Sequence, residues 1–128
     1  MKTERQRRGA IAEAAAATYL EQLGWQIVAR NVKVGRDEVD ILAIDPGPPA
    51  TLVCAEVRSL KTAAFGAPEE RVDRRKVGRL YRAVAGLGAA LESDDGIDRL
   101  PRRVDLVIVD GRRGPAAEIR HLRALEPP

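Results

Sequence analysis

Residues 38–58 read EVDILAIDPGPPATLVCAEVR: two apolar runs with acids toward their outer ends, joined by a segment crowded with proline. Neither a helix nor a strand continues through Pro46-Gly47-Pro48-Pro49, because proline fixes φ and lacks a backbone donor. The flanks Glu38–Ile44 and Thr51–Arg58 are therefore predicted as the two strands of one hairpin. Symmetric folding about Pro48 sets Asp40 opposite Glu56 and Glu38 opposite Arg58. Side chains alternate along a strand, so Glu38, Asp40, Leu42 and Ile44 share a face with Leu52, Cys54, Glu56 and Arg58.

That register has an electrostatic cost. Carboxylates directly opposite on a sheet have Cβ atoms roughly 5 Å apart, where like charges destabilise the pair. Beside an apolar face the cost calls for compensation. A hard divalent cation, Mg²⁺ or Mn²⁺, supplies it through carboxylate oxygens. An ion pair is the other solution: Arg58 neutralises Glu38 or Glu56 while Asp40 lies at a solvated strand end. Residue types alone leave both open. Glu13 is the only acid in the alanine-rich stretch Ala10–Ala17. It is either a third member of the site or a solvent-facing helix residue.

Outward from the hairpin, Glu4 to Leu23 is predicted as a helix, with Ile11, Ala15, Thr18, Tyr19, Gln22 and Leu23 near one face and Gly24 ending it. Trp25 to Val34 alternates as a strand and turns at Gly35. A second helix is expected from about Glu70 to Leu91, its core stripe formed by Val77, Leu80, Val84, Leu87 and Leu91. Arg103 to Asp110 reads as a buried strand, and Glu118 to Leu122 as a short last one. The order α-β-β-β-α-β-β implies an α/β fold. The first three strands form an antiparallel meander, and a helical crossover makes the third and fourth strands parallel neighbours. The result is a mixed β-sheet flanked by helices.

With 128 residues, 45% apolar and 32% charged, the chain has the size and composition of one soluble domain over 1–128, with its core at about 9–122. Cys54, the lone cysteine, has no intramolecular partner and sits in an apolar run, which suits a reducing cytoplasm. No apolar stretch fits a signal peptide or a membrane helix, so a cytoplasmic location with no membrane partner is expected. A net charge of +3 hides an uneven distribution. Arg71, Arg74, Arg75, Lys76, Arg79 and Arg82 crowd one helix, which suits a polyanion but also a merely solvated helix face. His121 is the only histidine, which excludes a histidine-based metal site or pair by count. Trp25 and Tyr81 read as packing residues rather than base-stacking platforms, and Arg103 and Asp105 as organisers of the last core strand.

Gly9-x-x-x-Glu13, Tyr19-Leu20 before Gly24-Trp25, Arg30-Asn31, Glu38-Val39-Asp40, Glu56-Val57-Arg58, Phe65-Gly66, Lys76 and Arg103-Val104-Asp105 form an ordered set. By it the chain resembles the YraN-like uncharacterised proteins of the restriction-endonuclease-like superfamily, from about Gly9 to His121. The resemblance implies a PD-(D/E)xK-type core similar to archaeal Holliday-junction resolvases. Glu13, Asp40 and Glu56 would then be metal ligands for Mg²⁺ or Mn²⁺, and Arg58 would stand at the catalytic lysine position. Arginine remains protonated and cannot serve as a base, so Lys61 and Lys76 are substitutes to consider. A second departure is Asp37, where the family carries glycine. The resemblance thus implies an endonuclease-like protein hydrolysing phosphodiesters in nucleic acid, DNA above all. The alternatives are a nucleic-acid-binding module with little or no catalysis, touching phosphates through Arg74, Arg75, Arg79 and Arg82, or a protein-interaction domain. A homodimer is compatible with all three.

Overall fold

The computed structural model describes residues 3–60, 74–90, 96–111 and 118–125. Helix α1 (Glu4–Gln22) leads into strands β1 (Gln26–Val34), β2 (Asp37–Asp45) and β3 (Thr51–Leu60). Helix α2 (Arg74–Ala90), a single 3₁₀ turn (Ile97–Arg99), β4 (Arg102–Asp110) and β5 (Glu118–Leu122) follow. The strands form one five-stranded sheet in the order β1-β2-β3-β4-β5. β3 and β4 are parallel, while the other neighbours are antiparallel. With a helix against each face, this is the restriction-endonuclease-like core.

Local chemistry accounts for the boundaries. Thr3 caps α1 reciprocally with Gln6: its hydroxyl accepts from Gln6 N at 3.1 Å, and its own N–H donates to Gln6 Oε1 at 2.8 Å, satisfying two orphan donors. Gly24, at φ +88°, reverses the chain after α1. Between β2 and β3 the turn is held by Gly47 N donating to Asp45 Oδ1 (2.9 Å) and Thr51 Oγ1 donating to the Pro49 carbonyl (3.0 Å). Gly47 sits at φ +67°, and a Cβ there would collide with the Pro49 carbonyl. The β2–β3 register pairs Ile41 with Ala55, Leu42 with Cys54 and Asp45 with Thr51, the register expected from symmetry about Pro48.

The two faces of the sheet make separate cores. Ile41, Ala43, Val53, Ala55, Val107 and Val109 pack with Ala12, Ala16, Ala17 and Leu20 of α1. Leu42, Leu52 and Cys54 pack with Ala83 and Leu87 of α2. Expectation and structure differ on α1. The helix is rotated so that alanines and Leu20 face the sheet, while Ile11 is 66% and Leu23 41% exposed. Small side chains let the helix backbone approach the sheet closely, and that close packing overrides the placement of the larger residues. Along α2, Val77, Leu80 and Leu87 are buried as the stripe predicts. Residues 70–73 and Leu91, also assigned to this helix, lie outside the described residues. Cys54 is fully buried, and burial pushes its thiol up to about 12, so it is inert at neutral pH.

The far edge is tied by a buried polar network. Asp105, 0% exposed, accepts from Arg103 Nε (2.8 Å), His121 Nε2 (2.8 Å) and Ala124 N (3.0 Å). With Nε2 carrying the proton, His121 Nδ1 accepts from the Tyr19 hydroxyl at 3.0 Å. Arg103 also reaches Asp45 at 3.0 Å. Trp25, 5% exposed, packs edge-on against His121 beneath the guanidiniums of Arg103 and Arg123. One carboxylate thus joins α1, the β2–β3 turn, β4, β5 and the segment after β5. No helix among the described residues is long and apolar enough to cross a membrane.

Candidate functional site

The site lies at the outer end of β2 and β3, where their pairing runs out. Main-chain pairing stops at Ile41 and Ala55. The next β3 donor facing β2, Val57 N–H, goes to Asp40 Oδ2 at 2.8 Å. This side-chain acceptor draws Asp40 against Glu56, and both line one cleft of about 220 Å³ with Arg36, Asp37, Glu38, Lys76, Arg79 and Leu80. Burial raises the Asp40 carboxyl, and the Glu56 charge raises it further, to about 7, against the pull of Val57 N–H. Near neutral pH the Asp40 carboxyl is thus drawn toward its protonated form beside the Glu56 charge.

Two other elements reach this pair. From α2, Lys76 Nζ lies 3.1 Å from Glu56 Oε1, with the lysine side chain 52% exposed and the glutamate 16%. From α1, Glu13 lies close enough for its charge to raise Asp40. The Glu13 carboxyl is itself raised by burial, opposed by Arg30 and raised again by Glu38, with Asn31 as a hydrogen-bonding neighbour. Glu13 Oε1 is buried without a hydrogen-bond partner among the described residues, Arg30 Nη2 standing off at 3.9 Å. Among the described residues no three Asp, Glu, His or Cys side chains converge as a ready-made metal cage. The acidic centre is the Asp40–Glu56 pair, with Glu13 beside it.

Arg58 is half-buried and lines a recess of about 20 Å³ with Glu56, Lys76 and Leu106, room for one water molecule. Lys61 lies outside the described residues. The lysine that reaches the acids is Lys76, one of the two substitutes named from sequence.

A broader groove of about 660 Å³ adjoins the cleft, lined by Arg36, Asp37, Arg75, Gly78, Arg79 and Arg82. Arg36, Asp37 and Arg79 belong to both walls. Arg75, Arg79 and Arg82 are exposed along α2. Arg74 opens the helix, but its side chain is outside the described residues. Arg82 holds Asp37 with two hydrogen bonds of 2.9 Å, and these hold the Asp37 carboxyl below its ordinary range. Asp37, the departure from glycine, therefore clamps the β1–β2 turn to α2. Sequence reasoning missed Arg36 and the clamp. The available signal was Gly35-Arg36-Asp37 at a hairpin turn, opposite a helix rich in arginine.

A family model described as "Uncharacterised protein family UPF0102" matches residues 12–109. The chain belongs to the UPF0102 family. A UPF0102 protein of Deinococcus radiodurans is 38% identical over 114 residues, covering 87% of this chain and 89% of that protein. The UPF0102 protein of Arthrobacter sp. (strain FB24) is 41% identical over 121 residues, 93% and 92% of the two chains. That of Desulforamulus reducens is 34% identical over 124 residues, 96% and 98%. UPF0102 membership agrees with the YraN-like resemblance carried by the motifs, and the matched span includes Glu13, the Asp40–Glu56 pair and Lys76.

Proposed function

We propose that this UPF0102 protein is a nucleic-acid-binding domain that takes a polynucleotide backbone, DNA in the first instance, along α2 and brings a phosphodiester to the Asp40–Glu56 pair. The observation that carries this is the continuity of an arginine-lined groove with an acidic cleft through Arg36, Asp37 and Arg79. Acids alone would repel a polyanion; cations along the approach offset that repulsion and supply the salt-dependent part of affinity. Arg58, fixed as a cation, binds charge but abstracts no proton, which makes hydrolysis slow or absent. Arg79→Glu is expected to weaken binding to a labelled duplex by roughly tenfold or more, with an unchanged melting temperature. Unaltered affinity would remove α2 as the contact surface.

Metal-dependent hydrolysis is a second reading, favoured by the meeting of Asp40 and Glu56 in one cleft. The donor set fits Mg²⁺ or Mn²⁺. Burial and the Glu56 charge disfavour an ionised Asp40 in the absence of a cation, Glu13 Oε1 is a buried acceptor without a donor among the described residues, and Mg²⁺ commonly binds one or two carboxylates plus substrate phosphate and water. Asp40 and Glu56 would hold such an ion, with Glu13 beside them, and the ion would lower the pKa of bound water and polarise the phosphodiester. Arg58 would steady negative charge on the phosphoryl oxygens. Cleavage of a duplex, junction, flap or single strand by Mn²⁺-loaded protein, abolished by Glu56→Gln and maintained or raised by Arg58→Lys, would place hydrolysis first. Intact substrates throughout leave binding as the function.

A further inference from the structure

We propose that Lys76 couples cation binding to polyanion binding: its ammonium occupies Glu56 at rest and is released into the arginine groove when a divalent cation takes that carboxylate. The inference rests on the proposed function and adds its regulation.

Three features of the site support the exchange. The Lys76 ammonium stands 3.1 Å from Glu56 Oε1, within the cleft that contains Asp40. A divalent ion at that oxygen would lie about 2.1 Å from it and so a few ångströms from the ammonium, where like charges repel strongly in a partly desolvated cleft. Both cations cannot stay. Lys76 is the mobile partner, being 52% exposed on a flexible stem while Glu56 is 16% exposed, and exposed lysine–carboxylate pairs are weak. The place it moves to is also defined. Arg79 lies one turn along α2 from Lys76 and lines both the cleft and the groove, so a displaced ammonium joins the surface that faces phosphate. Linkage makes the effect reciprocal: bound polyanion, by attracting Lys76, also strengthens cation binding.

Calorimetry with Ca²⁺ and fluorescence anisotropy on a short labelled duplex, at constant ionic strength, test this in wild type and Lys76→Gln. In wild type, saturating Ca²⁺ is expected to tighten duplex binding by about five- to tenfold. In Lys76→Gln the Ca²⁺ affinity rises about three- to tenfold, because the resident competitor is gone, and the coupling falls toward unity. Ca²⁺ affinity that falls in Lys76→Gln, or coupling that persists there, overturns the proposal. If wild type binds Ca²⁺ but no duplex, the binding function fails, and the coupling with it. If duplex binds and Ca²⁺ affinity is the same in both proteins, only the Lys76 exchange fails.

Discussion

Asp105→Ala is expected to lower stability by roughly 3–5 kcal/mol, the range for removing one partner of a buried charge pair, and to lower the melting temperature by roughly 10–20 °C. The substitution removes a fully buried acceptor from the Arg103 guanidinium, His121 Nε2 and Ala124 N–H at once; Arg103 retains Asp45, while the His121 side chain, 5% exposed, loses its buried partner. Burial pushes the Asp105 carboxyl up, yet the His121, Arg103 and Ala124 donors outweigh it and hold it below its ordinary range. Its contribution is therefore full at neutral pH and is lost only as pH falls below the usual carboxylate range. Asp105→Asn leaves an oxygen for Arg103 and Ala124 and should cost about half as much. Urea unfolding of the three proteins at neutral pH checks the order. A loss below about 1 kcal/mol in Asp105→Ala would show that the network is not what ties the far edge together.

Asp40→Asn should do the reverse, stabilising the fold by roughly 2 kcal/mol above neutral pH and raising the melting temperature by roughly 5–10 °C. The amide oxygen still accepts from Val57 N–H, and the neutral amide removes the cost of ionising Asp40 in a buried place beside the Glu56 charge. In the wild type, Asp40 remains protonated up to about 7 when folded, but ionises near 3.8 when unfolded. Through that window the folded chain binds more protons, so its stability declines as pH rises and levels off above about 7. Asp40→Asn lacks that decline. Thermal melts between pH 5 and 8 separate the two proteins. Parallel pH profiles would mean that Asp40 and Glu56 do not burden each other. A substitution that stabilises the fold while weakening cation binding is the signature of strain held at a functional site.

Much of this was legible in the sequence, for reasons that differ by residue. The Pro-Gly turn set the β2–β3 register because proline leaves the chain few conformations, and from that register the Asp40–Glu56 encounter followed. The parallel β3–β4 pair followed from the length of the helical crossover. Rotation of α1 was not legible: in an alanine-rich helix the apolar moment is weak, and close approach of the backbone decided which side turned inward. The Asp105 network was visible only as Arg103-Val104-Asp105, since its other members are distant in sequence and meet only once β5 pairs with β4. Lys76 was one of two substitutes that spacing could not rank, and the geometry of α2 over the cleft brings it to Glu56. Arg36 and the Asp37–Arg82 clamp depend on a turn meeting a helix across 45 residues, which no local pattern encodes.

Central to the account is that the arginine groove receives a nucleic-acid backbone and leads it to the acid pair. The most direct measurement is the salt dependence of wild-type affinity for a short labelled duplex. With Arg36, Arg75 and Arg79 at phosphates, the logarithm of the association constant should fall against the logarithm of salt concentration with a slope of about −3. A slope near zero, or no binding at low salt, would contradict it.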